Sequence, residues 1–250
     1  MEQSLLKLAS KYFSDETLQK EFAKAFKKSY ERILAELSST TGVSTRSRLR
    51  ALEAELKKQL KEAYAIDVSG EIERIAKPFV NDMDKITGFG MSWTKLPDVA
   101  IKAILDPNTI IAFNGMSLAT IFKDTEGIHV RKMRNVIAQG LIEGKSVDAI
   151  AKMMRDVNTT MLNKDIKTVA RTLTAEAMSR SNMEVFERSE QVIGYQYQAK
   201  LDNRTTEYCR NTDDKVYYKK DGWTPEELKN KNLWPPVHWN CRSVITPYLG

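Results

Sequence analysis

The strongest constraint in this chain is a set of apolar stripes at 3.6-residue spacing that recur through its first two-thirds. Leu5, Leu8, Ala9 and Tyr12 share one face, Phe22, Phe26, Tyr30, Ile33 and Leu37 a second, and Leu49, Leu52, Leu56, Leu60 and Ala63 a third. Charges flank each stripe and keep the opposite face in water, so the pattern predicts three amphipathic helices and an N-terminal helical bundle. A Ser/Thr/Gly run, Ser38–Thr45, separates the second helix from the third. A fourth stripe follows Val68, Ile72, Ile75, Phe79, Met83 and Ile86, with Pro78 inside it. That proline lacks a backbone donor and predicts a kink or a restart. Thr87–Trp93 holds two glycines and reads as a loop or hinge, in a middle region expected to join two modules. A short helix should then open at Pro97 and Asp98, run to Leu105 and close on Asp106-Pro-Asn.

A second helical group is better marked. Val130, Met133, Ile137 and Leu141 share a face, and Gly144 stands where a left-handed cap belongs. Ser146 is placed as an N-cap, with Asp148 in the first turn, ahead of Val147, Ile150, Ala151 and Met154. This makes a tight helical hairpin, and a further helix should start near Lys164, with Ile166, Val169, Ala170, Leu173 and Ala177 inward. At Gly194 the period changes from 3.6 to 2. Tyr195–Ala199 alternates ring and amide like a half-buried strand, and Val216–Tyr218 supplies a second one. Thr224 with Pro225, Glu226 and Glu227 begins a short helix, and Trp234–Trp239 is forced into an extended path by its prolines. The predicted fold is mainly α. It has an N-terminal helical region over 1–115 that would dock a partner, then a domain over 116–250. That domain comprises helices over 125–192 and a small loop-rich α+β cap over 193–250 with a short β-hairpin.

Composition narrows the function classes. A length of 250 residues at 42% hydrophobic content supplies a real core and argues against wholesale disorder. The net charge of +6 is spread along the chain, with no basic tail. Lys24/Lys27/Lys28, Arg46/Arg48/Arg50 and Arg131/Lys132/Arg134 lie on helical stretches with acids nearby and read as solvated faces. No apolar run reaches the roughly 20 residues of a membrane span, and the opening Met1–Leu8 has no cationic leader. Cytoplasmic synthesis and no membrane partner are therefore expected. No G-x-S-x-G, G-x-x-x-x-G-K-[ST] or H-E-x-x-H occurs, and no enzyme is expected.

The cap collects Cys209, His238 and Cys241. His238 and Cys241 stand in H-x-x-C spacing, which lets imidazole and thiolate reach one metal ion, with Cys209 joining from the strand side. Zinc is the metal such ligands suit, although the segment offers no fourth Cys or His. A Cys209–Cys241 disulfide is a rival use, and two unpaired buried thiols beside a hydrogen-bonded histidine are another. A nucleophile–base pair would need an orienting third group that spacing does not supply.

The residues from Gly140 onward, taken in order, resemble the phage Mu F-like minor head proteins, the head morphogenesis family. The resemblance rests on Gly140–Ala151, Val169-Ala-Arg-Thr172, Leu201–Thr205 with Cys209, Pro235–His238 and Cys241-Arg242. It departs at Leu173, where the family commonly has an acid, and at Thr206 and Ser243, where cysteines are often seen. The resemblance implies a minor capsid protein of a tailed phage, present in few copies at or near the portal during head assembly, with roles in DNA packaging or ejection. The portal or capsid protein would be its partner. Its place would be the virion, in the head interior or at the portal vertex, after assembly in the host cytoplasm. The alternative is an internal virion protein that binds double-stranded DNA without reading sequence. Within the motif, Arg171 and Thr172 are expected to be structural members of a helix that bond back to the cap. Asp202, Arg204 and Thr205 should shape a turn through side-chain bonds to backbone amides, with Arg242 completing the set.

Overall fold

The computed structural model describes residues 2–39, 45–65, 67–106, 108, 110–111 and 116–249. Its long helices are α1 (Glu2–Phe13), α2 (Thr17–Ser39), α3 (Thr45–Tyr64), α4 (Val68–Thr87), α5 (Asp98–Leu105), α6 (Leu118–Ile142), α7 (Val147–Thr160) and α8 (Lys167–Arg188). Two short ones, α9 (Glu207–Thr212) and α10 (Pro225–Asn230), lie near the end of the chain. Strands β1 (Ile110–Ile111) and β2 (Met116–Ser117) make a small hairpin, while β3 (Gly194–Gln198), β4 (Val216–Tyr218) and β5 (Val244–Tyr248) form an antiparallel sheet in the order β4-β3-β5. The fold is mainly α with a small β cap, as the periodicities predict. Residues 40–44 of the Ser/Thr/Gly run, Pro107 and the side chains of Arg46 and Arg48 lie outside the described residues.

The chain divides into two compact units that do not follow its order. One comprises Met1–Asp15, Asp67–Leu118 and Arg171–Gly250, the other Glu16–Ile66 and Ala119–Ala170. The chain crosses from one to the other near residues 15, 66, 118 and 170, and Thr87–Trp93 lies inside the first unit.

The second unit is built on α2 and α3, which pair antiparallel: Phe22 and Phe26 meet Tyr64, and the Ser29 hydroxyl donates to the Gln59 carbonyl at 3.0 Å. Its interior is aromatic. Phe22 stacks on Phe122 at 5.8 Å, and Phe26 meets the His129 ring edge-on at 4.8 Å. The His129 imidazole is fully satisfied as a neutral ring, with Nε2 2.8 Å from the Asn158 side-chain oxygen and Nδ1 3.3 Å from the Tyr64 hydroxyl. Gly140 explains how closely α7 approaches α6, since a Cβ there would stand 2.5 Å from the Ile150 side chain. Ser146 caps α7 by accepting from the Ala149 N–H, and Gly144 takes the predicted left-handed conformation at φ 65°. The predicted break before Lys164 is absent. Instead α7 continues into a π-helical segment, Met161–Ile166, and then into α8. A wide turn frees carbonyls, and the Gln19 amide takes up that of Leu162 at 3.2 Å.

In the first unit α1 packs on α4 and β5, so the first helix does not join α2 and α3 in one bundle. Tyr12 meets Phe79 edge-on at 5.4 Å. Of the kink or restart predicted at Pro78, the restart does not occur: α4 runs through the proline to a left-handed cap at Gly88. Pro78 sits on the exposed face, where the carbonyl it orphans can be hydrated. The unit's interior is more polar than any stripe suggests. Glu176 is wholly buried on α8 and accepts from Lys229 at 2.6 Å and from Arg180 at 3.1 Å. Burial pushes its pKa up, but the two cations outweigh that and hold it below the usual range. Arg180 in turn donates to the carbonyls of Ile104 and Asp106, which ties down the end of α5. The Lys219 ammonium caps α8 by donating to the carbonyls of Phe186, Glu187 and Ser189. Tyr195 and Tyr197 are both buried, and β3 is the central strand of three rather than half of a two-stranded hairpin.

Candidate functional site

The turn after β3 positions the site. Asp202 Oδ1 accepts from the Arg204 N–H at 2.8 Å, and Thr205 Oγ1 accepts from the Asp202 N–H at 2.8 Å while donating to the Lys200 carbonyl at 2.6 Å. Arg242 closes the turn with a fork of two bonds, 2.6 and 2.7 Å, to the two Asp202 oxygens. These bonds from Arg242, and then the Arg204 amide, hold the Asp202 carboxyl well below the usual carboxylate range. The Arg204 side chain contributes little to the turn, because its nearest approach to Asp202 is 3.9 Å and it is 67% exposed. Arg204 shapes the turn through its backbone, and Arg242 is the arginine that grips it.

The turn delivers Thr206 as the N-cap of α9, where its hydroxyl accepts from the Cys209 N–H. Cys209 therefore sits in the first turn of a helix, not on a strand side. Thr206 followed by Glu207 was the readable signal for that helix. The ligand atoms of Cys209, His238 and Cys241 all lie within 4.8 Å of one another, and both cysteines are free and buried. His238 Nδ1 donates to its neighbour's carbonyl, Trp239 O, at 2.9 Å. This leaves Nε2 facing Cys209 Sγ at 3.1 Å. The Tyr197 hydroxyl donates to the same sulfur at 3.3 Å.

The two thiols titrate apart. A hydrogen bond from Cys241, then bonds from His238 and the Ser243 and Thr206 hydroxyls, draw the Cys209 pKa far down against the opposing effect of burial. The same contact with Cys209, followed by burial, pushes Cys241 up. His238 is raised, first by its bond to Cys209. Cys209 is therefore the sulfur that gives up its proton more readily, and Cys241 the one that keeps it. With both thiols deprotonated and the ring neutral, the same atoms offer two sulfurs and Nε2 to a metal ion.

The fit to a metal is specific in three respects. The backbone carbonyl fixes the tautomer that frees Nε2, a phenol and two hydroxyls support the sulfurs, and the three ligand atoms already converge. A tetrahedral zinc with bonds of about 2.0–2.3 Å needs ligand atoms less than roughly 4 Å apart, so the triad would draw in by under about 1 Å. Thr206 Oγ1 lies 3.2 Å from His238 Nε2. These residues could hold a metal ion.

The remaining motif residues fall nearby. Thr172 is buried with no hydrogen-bond partner for its hydroxyl among the described residues. Arg171 borders a cleft whose walls also include Lys200, Arg204, His238, Trp239 and Arg242. Lys200, Thr206, Trp239 and Tyr197 are site residues that no motif signalled; only a folded chain brings them together.

No curated protein and no solved structure matches the chain. Residues 131–246 match the family described as Phage Mu protein F like protein, over the segment that carries α7, α8, the sheet and the cysteine–histidine cluster. Over residues 131–246, in its C-terminal half, the chain is similar to the phage Mu F-like proteins.

Proposed function

We propose that the chain is a minor capsid protein of a tailed phage, a structural part of head assembly that acts at or near the portal. The family match over 131–246 carries this reading. The site supports it, since the Cys209/His238/Cys241 cluster lies in a loop-rich cap where a metal would act as a clip and its binding free energy would become folding free energy. Zinc is the metal these ligands suit, and its role there is to tie α9 to the segment that leads into β5. Portal and capsid proteins are the partners the reading requires, and the virion is its location.

Deleting the gene from the phage or prophage that encodes it tests the assembly role. The expected result is an absence of DNA-filled heads by electron microscopy, with the protein present at low copy in purified wild-type particles. Normal, infectious particles formed without it would overturn the proposal. Metal analysis tests the clip. About one zinc per chain, lost in Cys209→Ser together with a lower melting temperature, is expected; a melting temperature indifferent to added zinc and chelator would remove the clip and leave the assembly role standing.

A further inference from the structure

Beside the cysteine–histidine cluster, within the first unit, a cleft of about 460 Å³ gathers four cationic side chains: Arg171, Lys200, Arg204 and Arg242. Neither aspartate nor glutamate is among its lining residues. Asp202, in the adjoining turn, is already gripped by the Arg242 fork. Arg171 and Lys200 form no ion pair with any described carboxylate, and Arg204 has only the 3.9 Å approach to Asp202. Like charges converging on one space repel unless an anion joins them. Two flat rings complete the walls: Trp239, 38% exposed, and Phe13 on α1. Cations beside an accessible aromatic face are the combination that holds a phosphate and stacks the base attached to it.

We infer that this cleft binds a nucleotide phosphate, with the phosphate among Arg171, Lys200 and Arg204 and the base against Trp239. The inference stands on the cleft alone and does not depend on the head-assembly reading. The ligand chemistry has two sources, a free nucleotide or a unit of a single strand. A carboxylate-bearing peptide would satisfy the cations but leave the ring without a base to stack.

The test is fluorescence anisotropy with a labelled twelve-residue thymidine oligonucleotide, in rising salt, with dTMP as competitor. Arg171→Ala/Lys200→Ala should weaken binding at least tenfold. It should also flatten the log–log salt slope by about 1.4, the value expected when two fewer phosphates of a single strand are neutralised. Trp239→Ala should weaken it at least fivefold, since stacking is worth a comparable factor per base. Lys200→Ala alone, at an exposed position, and matching melting curves for all variants guard against misfolding. Competition by dTMP at equal affinity assigns a free nucleotide; binding of the oligonucleotide without competition assigns a strand, and either supports the cleft. Equal binding by wild type and the double variant, or no binding at 50 mM salt, overturns the inference. So does a duplex that binds better than the strand and ignores Trp239→Ala.

Discussion

The two units solve the problem of a buried polar group in opposite ways. In the unit built on α2 and α3, one histidine enters an aromatic interior and is kept neutral, with both ring nitrogens matched by uncharged partners. In the unit built on α8, a carboxylate is buried as an ion between two cations. The first solution costs little while the pH keeps the ring neutral. The second is costly to assemble and, once assembled, costly to break, because removing one partner strands the others away from water. It also fixes geometry, since Glu176 joins α8 to α10 and Arg180 ties α8 to the end of α5. Burial alone does not reveal which solution a helix uses.

Glu176→Ala should break the contrast most strongly. It leaves Arg180 and Lys229 buried without their carboxylate, and should cost about 3–5 kcal/mol in denaturant unfolding. Glu176→Gln, which keeps the shape, should cost less. An E176A protein as stable as wild type would mean the network is solvated and the contrast false.

Next in size is the pH response of His129. Burial first, against the bond to Asn158, lowers its pKa from 6.5 to about 4. Unfolded chains bind a proton at this ring below about 6.5 and folded chains only below about 4. The unfolded state therefore gains as pH falls through that window. Stability from this group is complete above 6.5 and declines by roughly 3 kcal/mol towards pH 4. Hydrogen exchange should show amides of α2, α3 and α6 losing protection first, and His129→Leu should flatten the response.

A smaller effect tests the close approach of α6 and α7. Gly140→Ala should destabilise by about 1–2 kcal/mol through the clash with Ile150, despite the better helix propensity of alanine. Adding Ile150→Val should recover part of the loss. Smallest of all, Arg204→Ala should leave the melting curve of the cap unchanged, because its turn contact is a backbone amide. Arg242→Ala should lower that curve measurably, more so at low salt, because the Asp202 fork is lost.

Much of this was legible in the residues. The stripes from Leu5 to Ala63 mark faces that are buried, and the caps at Ser146, Gly144 and Thr224 stand where local chemistry puts them. Local signals failed where distant partners decide. Pro78 does not end α4, which runs on through it with the proline on the exposed face. The stretch around Leu162 stays helical because Gln19, far off in sequence, supplies the missing donor. Val244-Ile245-Thr246 has the β-branched content of a strand, but its pairing with β3 depends on register that no local pattern encodes. Of the site, the cysteines and His238 were visible as a ligand set. Thr206, Tyr197 and Lys200 were not, since Thr206 is delivered by the turn that Asp202 and Arg242 hold, while Tyr197 and Lys200 come from β3 and the residues just after it.

The packing of α1 against β5 has a consequence for how the molecule is made. Tyr12 can meet Phe79 as soon as α4 has been translated, whereas the part of α1 that packs on β5 stays uncovered until residues 244–248 follow. A chaperone binding such an amphipathic segment would have a long interval in which to act, and a fragment that stops at residue 115 would hold pieces of both units and the whole of neither.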